Sequence, residues 1–276
     1  MIKPLFILFA VILLILTACG ETTREGRLEQ AWKNVKAEKY DKAQADFKVL
    51  YKNHPTDSAV LNVGAYIYGG LGQIDTALAY ARKQVALYPK YLAAYYLLDT
   101  IAISARDYDQ QLYAISNIGY IENRREIYWY RIAELNFLRG DYGICRTVCY
   151  EILKNHPDSS AAKFLLANAL SAAGVNDSAI MVMERLHEEM PDRIEILSNL
   201  GVFYANVRQY ARAKTAFEQL TRQRSDYLPG WMGLGNSCLM LGDSAEAIRA
   251  YRRVYMSDPT FYGVDSILKE IDPDNF

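Results

Sequence analysis

The stretch DYLPGWMGLGNSCLMLGDSAEAIRAYRRVYMSDP, residues 226–259, decides the fold. Gly242-Asp243-Ser244 breaks it into two helical segments, and Pro259 closes the second, because proline lacks an amide hydrogen and disfavours helix just before it. At strides of 34 residues towards the N-terminus stand Pro191, Pro157, Pro89 and Pro55, with Ser225 and Asn123 on the two rungs that lack proline. Seven rungs at one spacing, without insertion, predict an all-α solenoid of helix pairs, each burying its apolar face against its neighbours. The expected product is an extended curved surface rather than a closed catalytic pocket.

Other columns keep the same phase. Twelve residues before the rungs lie Ala43, Ala77, Gln111, Cys145, Ala179, Ala213 and Ala247; 24 before lie Ala31, Ala65, Asp99, Ala133, Ala167, Gly201 and Gly235. Small side chains let two helices approach, so these columns predict the crossing point of each pair. Eight before the rungs, Phe47, Ala81, Ile115, Cys149, Met183, Phe217 and Tyr251 fill the space beside it. Between the helices come turns such as Gly72-Gln73-Ile74, Gly140-Asp141-Tyr142 and Gly174-Val175-Asn176, with glycine at the left-handed position where helices commonly stop.

The pattern resembles the tetratricopeptide repeat family. In the seventh unit Trp231, Leu234-Gly235, Gly242-Asp243, Ala247, Tyr251 and Pro259 stand where the family places tryptophan, Leu-Gly, the turn, alanine, an aromatic and proline. The sixth unit (Leu200-Gly201, Tyr204, Tyr210, Ala213, Phe217) follows closely, and the third departs most. The resemblance implies a right-handed α-α superhelix of seven helix pairs over residues 25–259, with a capping helix and tail over 260–276. It also implies that residues 27 and 23 before each rung face the concave groove. These pairs are Leu28 and Trp32, Asn62 and Tyr66, Tyr96 and Thr100, Tyr130 and Glu134, Phe164 and Asn168, Ser198 and Val202, Met232 and Asn236. Members that clamp a terminal carboxylate carry Lys, Arg and Asn there, whereas none of these positions is basic. The expected ligand is therefore an apolar peptide or amphipathic helix of a protein partner. Trp32, Tyr66, Tyr96, Tyr130 and Phe164 would contact it, and Asn62, Asn168 and Asn236 would meet its backbone.

The N-terminus carries a second signal. Lys3 is followed by an apolar run from Leu5 to Leu16, too short to span a bilayer comfortably, and then by Leu16-Thr17-Ala18-Cys19. That ending resembles the lipobox of bacterial lipoproteins. It implies a signal peptide over residues 1–18, acylation of Cys19, a lipid-anchored linker over 19–24 and, from Gly20, sorting to the outer membrane. Two or three acyl chains anchor stably.

Composition narrows the function further. The net charge is −1, and a nucleic-acid binder would show a basic excess on one face. No Gly-x-Ser-x-Gly, Gly-Lys-Ser/Thr or His-Glu-x-x-His motif occurs, so neither catalysis nor a cofactor is expected. Cys145, Cys149 and Cys238 fall in packing columns and read as buried thiols rather than metal ligands. An envelope scaffold or adaptor is the reading. A substrate-capture lipoprotein serving an outer-membrane importer is the alternative, disfavoured by the unbroken spacing. Partner identity and oligomeric state stay open.

The third unit is the expected irregular point. Asp99 and Gln111 replace small residues in both crossing columns, and Gln84 replaces an apolar residue in the column packing the second unit onto the third. Unpaired buried polar groups cost about 1–3 kcal/mol each, so an Asp99 and Gln111 contact, direct or through water, is predicted.

Overall fold

The computed structural model describes residues 23–275, and every regular element among them is helical. The described residues form two compact units that divide between Leu135 and Asn136. The first contains α1 (Arg24–Lys36), α2 (Tyr40–Asn53), α3 (Ser58–Gly70), α4 (Ile74–Leu87), α5 (Leu92–Ala105), α6 (Tyr108–Ile121) and most of α7 (Arg125–Arg139). The second contains α8 (Tyr142–Asn155), α9 (Ser160–Ala172), α10 (Asn176–Glu189), α11 (Ile194–Asn206), α12 (Tyr210–Gln223), α13 (Leu228–Met240) and α14 (Ser244–Ser257). A short 3-10 turn over Phe261–Gly263, then α15 (Val264–Ile271) and a second 3-10 turn over Pro273–Asn275 follow. Within each unit, consecutive helices pack pairwise and each pair packs on the next. Cys19 and the apolar segment before it lie outside the described residues. No helix among the described residues is long and apolar enough to cross a membrane.

The rungs do what their chemistry dictates. Each second helix ends two residues before its rung, at Asn53, Leu87, Ile121, Asn155, Glu189, Gln223 and Ser257. Asn123 and Ser225 thus mark the same boundary that proline marks elsewhere. The turn column is more uniform than glycine alone indicates. Seventeen residues before every rung the backbone is left-handed, at Gly72, Gly140, Gly174 and Gly242 but also at Glu38 (φ 55°), Arg106 (φ 54°) and Arg208 (φ 60°). Geometry there is set by the tertiary spacing of the pair, which overrides the identity of the residue.

That override has a measurable cost. An L-residue in the left-handed region costs roughly 1–2 kcal/mol, against roughly 0.5–1 for the extra chain entropy of glycine. Arg208→Gly should therefore raise the urea midpoint, by an amount equivalent to about 0.5–1 kcal/mol. Gly242→Ala should lower it, although a Cβ at Gly242 would meet nothing within 4 Å. Opposite signs in the two melts are the expected result; a destabilised Arg208→Gly would show that the arginine side chain, not the backbone, matters there.

The crossing columns are buried as their size requires, with Ala43, Ala77, Cys145, Ala179, Ala213 and Ala247 fully inaccessible. In the sixth and seventh pairs glycine allows aromatic rings into the crossing. A Cβ at Gly201 would lie 2.6 Å from the Phe217 ring, and one at Gly235 would lie 2.6 Å from Tyr251. Where the filling column shrinks to Ala81, the volume comes from the residue before it. Tyr80 packs at 5.1 Å from Phe47, 5.2 Å from Tyr51 and 5.4 Å from Tyr68, ring centre to ring centre. Cys145, Cys149 and Cys238 are buried free thiols.

The third pair departs from expectation in its partners. Asp99 and Gln111 form no direct hydrogen bond. Buried Gln111 donates its Nε2 to the Ala102 carbonyl at 3.3 Å and accepts at Oε1 from Arg131 of α7 at 2.7 Å. Arg131 also holds Glu134 at 2.6 Å. The Ala102 carbonyl thus holds the Nε2 donor that a carboxylate at Asp99 would need, while the fork of Arg131 satisfies the Gln111 amide oxygen and the Glu134 carboxylate together. Asp99 keeps a buried Oδ1 with no hydrogen-bond partner. Desolvation raises its pKa, opposed by the Arg131 charge. Gln84 does not join this cluster either. Its Nε2 turns back to the Ser58 carbonyl (2.8 Å) and hydroxyl (2.9 Å) at the start of α3, within its own pair.

Candidate protein-binding face

In the first unit the groove columns lie on α1, α3, α5 and the start of α7. Trp32 is half-buried and meets Tyr66 edge-to-face, with ring centres 5.3 Å apart. Tyr66, Tyr96 and Tyr130 remain 41%, 44% and 41% exposed, so three successive pairs each present a tyrosine to solvent. Asn62, half-buried, has no hydrogen-bond partner among the described residues and is free to meet a ligand.

Tyr96 is more tightly held than a purely ligand-facing residue. Its hydroxyl donates to Glu122 Oε1 at 2.7 Å and lies 3.3 Å from the Tyr128 hydroxyl, which donates to Glu122 Oε2 at 2.8 Å. These two phenols hold the Glu122 carboxyl below its usual range, and the contact with Tyr96, with burial and Glu122 behind it, pushes the Tyr128 hydroxyl up. Tyr96 therefore joins the third pair to the fourth while its ring stays accessible.

In the second unit Phe164 is half-buried. Asn168 differs from its expected role, because both ends of its amide are spent inside the protein. Its Nδ2 donates to the Phe164 carbonyl at 3.0 Å, and its Oδ1 accepts from Asn199 at 2.9 Å. Asn236 is half committed, since its Oδ1 accepts from the Tyr251 hydroxyl at 2.7 Å. Burial pushes that phenol up to about 12.

At the C-terminal end of these columns lies an open cavity of about 600 Å³. Ser198, Val202, Met232 and Asn236 come from the groove columns, while Tyr262 and Ile267 belong to the closing segment. The repeat pattern could not locate this cavity, because its outer wall lies beyond the last rung. The usable signal was the unpatterned Phe261-Tyr262-Gly263 just after Pro259.

Among the described residues, one group of possible metal ligands forms in the seventh pair, where Cys238, Asp243 and Glu246 place ligand atoms within 4.8 Å of one another. The ammonium of Lys214 stands there, 2.6 Å from Glu246 and 3.4 Å from Asp243, and offsets part of their charge. The hydrogen bond to Glu246 raises the lysine pKa in turn.

Comparison with known proteins agrees with this geometry. Sequence profiles of the tetratricopeptide repeat match residues 201–260 and 60–91. No curated protein matches the chain. Among solved structures, the C-terminal part of a TPR repeat-containing protein from Cytophaga hutchinsonii is similar at a TM-score of 0.60 and 13% identity, over 87% of this chain and 98% of that one. A tetratricopeptide repeat protein from Parabacteroides merdae gives 0.55 at 15% identity, over 90% and 98%. MamA gives 0.52 at 13% identity, over 61% and 92%. Identities this low speak for the fold alone. Profile matches in both units, the constant 34-residue phase and the stacked pairs lead to one conclusion: the helix pairs of this chain are tetratricopeptide repeats.

Proposed function

We propose that this protein is a lipid-anchored scaffold of a Gram-negative envelope, most simply of its outer membrane, which binds a protein partner along the first helices of its repeats. The observation that carries the binding half is the row of accessible tyrosines at Tyr66, Tyr96 and Tyr130 in columns without lysine or arginine. Aromatic side chains dominate protein interfaces because they bury a large area with little loss of rotamer freedom. Tyr66→Ala with Tyr130→Ala tests this reading more cleanly than any change at Tyr96, whose hydroxyl also ties two pairs together. Capture of the native partner by site-specific crosslinking should fall at least about tenfold, as for interface hot spots, with the thermal midpoint nearly unchanged. Retained capture with lowered stability would reassign both residues to packing.

The anchoring half rests on Leu16-Thr17-Ala18-Cys19 following the apolar run. Cys19→Ser should leave the precursor uncleaved or move the protein to the soluble fraction, as read by fractionation and mass spectrometry of the N-terminus. Normal processing with unchanged membrane attachment would disprove acylation.

A further inference from the structure

Beyond the last rung the chain builds a wall that no repeat contains. Val202, Phe217, Met232, Met240, Tyr262 and Ile267 give the cavity of about 600 Å³ an apolar lining, and no charged residue lines it. Its volume lies within the range of sites that hold discrete ligands, roughly 300–1,000 Å³. Val202 is 46% and Met240 58% exposed, so the apolar surface is open to a partner.

Tyr262 supplies an independent sign of function. It is left-handed (φ 44°, ψ 33°) immediately before a second left-handed residue, Gly263 (φ 69°). It is also 79% exposed and stacked edge-to-face on Phe261 at 4.7 Å. A bulky L-residue in that conformation is strained, and such strain concentrates at ligand clamps. Here it holds a large aromatic ring at the rim of an apolar cavity instead of inside the core.

We propose that this cavity receives the uncharged apolar face of an amphipathic helix from a partner protein, with Tyr262 closing against it. The inference rests on the protein-binding reading above and specifies what binds at this end. Hydrogen-bond supply selects a helix. Each residue of an extended peptide brings one backbone donor and one acceptor that need partners. The lining offers few partners for them and no regular row: the side chains of Ser198 and Asn206, the phenols of Tyr210 and Tyr262, the Nδ2 of Asn236, whose Oδ1 is already taken by Tyr251, and Ser237, whose hydroxyl already donates to the Gly233 carbonyl. A helix satisfies its own backbone and asks only for apolar contact. The uncharged lining likewise selects against a terminal carboxylate or a charged side chain, either of which would be desolvated without a counter-charge.

The experiment is selection on the full-length protein from a displayed library of capped, uncharged helices, randomised at positions i, i+3, i+4 and i+7 of one face. Enriched helices should carry Leu, Met or Phe there and no Asp, Glu, Lys or Arg. Their affinity should change little between about 50 mM and about 500 mM salt, since no charge pair is made. Val202→Glu, at a position open enough to accept the longer side chain, should weaken binding at least about tenfold. Tyr262→Gly should weaken it about fivefold while raising the melting temperature, because glycine relieves the left-handed backbone and removes the clamp. A merely structural tyrosine would not separate those two readouts. An empty selection, charged faces, or binding indifferent to both variants would overturn the proposal. Helices lost on Tyr66→Ala with Tyr130→Ala but kept by Val202→Glu would overturn it too, while leaving the tyrosine-lined face intact as the binding surface.

Discussion

Phe217→Ala is expected to unfold the C-terminal repeats well before the rest of the protein. Phe217 is 4% exposed and lies so close to Gly201 and Gly233 that a Cβ on either would fall 2.6 Å or 2.4 Å from its ring. Gly201 and Gly233 have no side chain that could move into the space left by the ring. Truncating a buried phenylalanine costs about 3–5 kcal/mol, and the upper half of that range applies where relaxation is blocked. Repeat arrays hold together through nearest-neighbour interfaces, so the loss should be local. Hydrogen exchange should show collapsed protection in α11 to α14 and near-normal protection in α2 to α5. A variant with wild-type protection in α12 would mean that the ring is dispensable to the crossing.

Asp99→Ala should do the opposite and stabilise the protein at neutral pH. Alanine is the residue of the same column at Ala31, Ala65, Ala133 and Ala167. The substitution removes a buried, unpaired carboxylate oxygen, which costs about 1–3 kcal/mol in the native state. Arg131 keeps Glu134 and Gln111 after the change. The sign of the pH dependence follows from the raised pKa of Asp99. With the folded value above the ordinary 3.8, the native state binds the proton more tightly than the unfolded chain. Wild-type stability from this group is therefore greatest in acid, falls as pH rises from the unfolded towards the folded pKa, and is flat beyond. The gap between Asp99→Ala and wild type should accordingly be wide at pH 7.5 and narrow near pH 4. A variant that melts below wild type at pH 7.5 would show that the Arg131 charge compensates Asp99 fully.

Most of the architecture was legible because the rungs, the crossing columns and the turns are each dictated by short-range sterics. Proline ends a helix at each rung it occupies, while Pro229 is tolerated in the first turn of α13, and alanine permits close approach where helices cross. The misreadings share a different cause. Side-chain hydrogen bonds depend on which of several donors reaches first, and spacing alone does not rank them. The Ala102 carbonyl took the Gln111 Nε2 that Asp99 would have accepted from, and Asn199 took the Asn168 oxygen. Ser58 drew Gln84 back into its own pair. Tyr80 was invisible for a related reason. It sits one position outside the filling column, and only the packed aromatic cluster reveals that it replaces the volume Ala81 lacks. Tyr262 belongs to no column at all.

The unbroken stride also makes the chain interchangeable with shorter and longer copies of itself. Excising residues 160–193 would join Ser159 to Ile194, where Arg193 stood, and every downstream residue would keep its place relative to its rung. Ser159 caps α9 by accepting from the Ala162 amide, whereas Arg193 makes no side-chain cap on α11. The splice would thus hand α11 a better start than it has now. Unequal recombination at any point of the period yields a product of the same kind. A gene of this design can gain or lose binding surface in steps of one repeat without passing through an unfolded intermediate form.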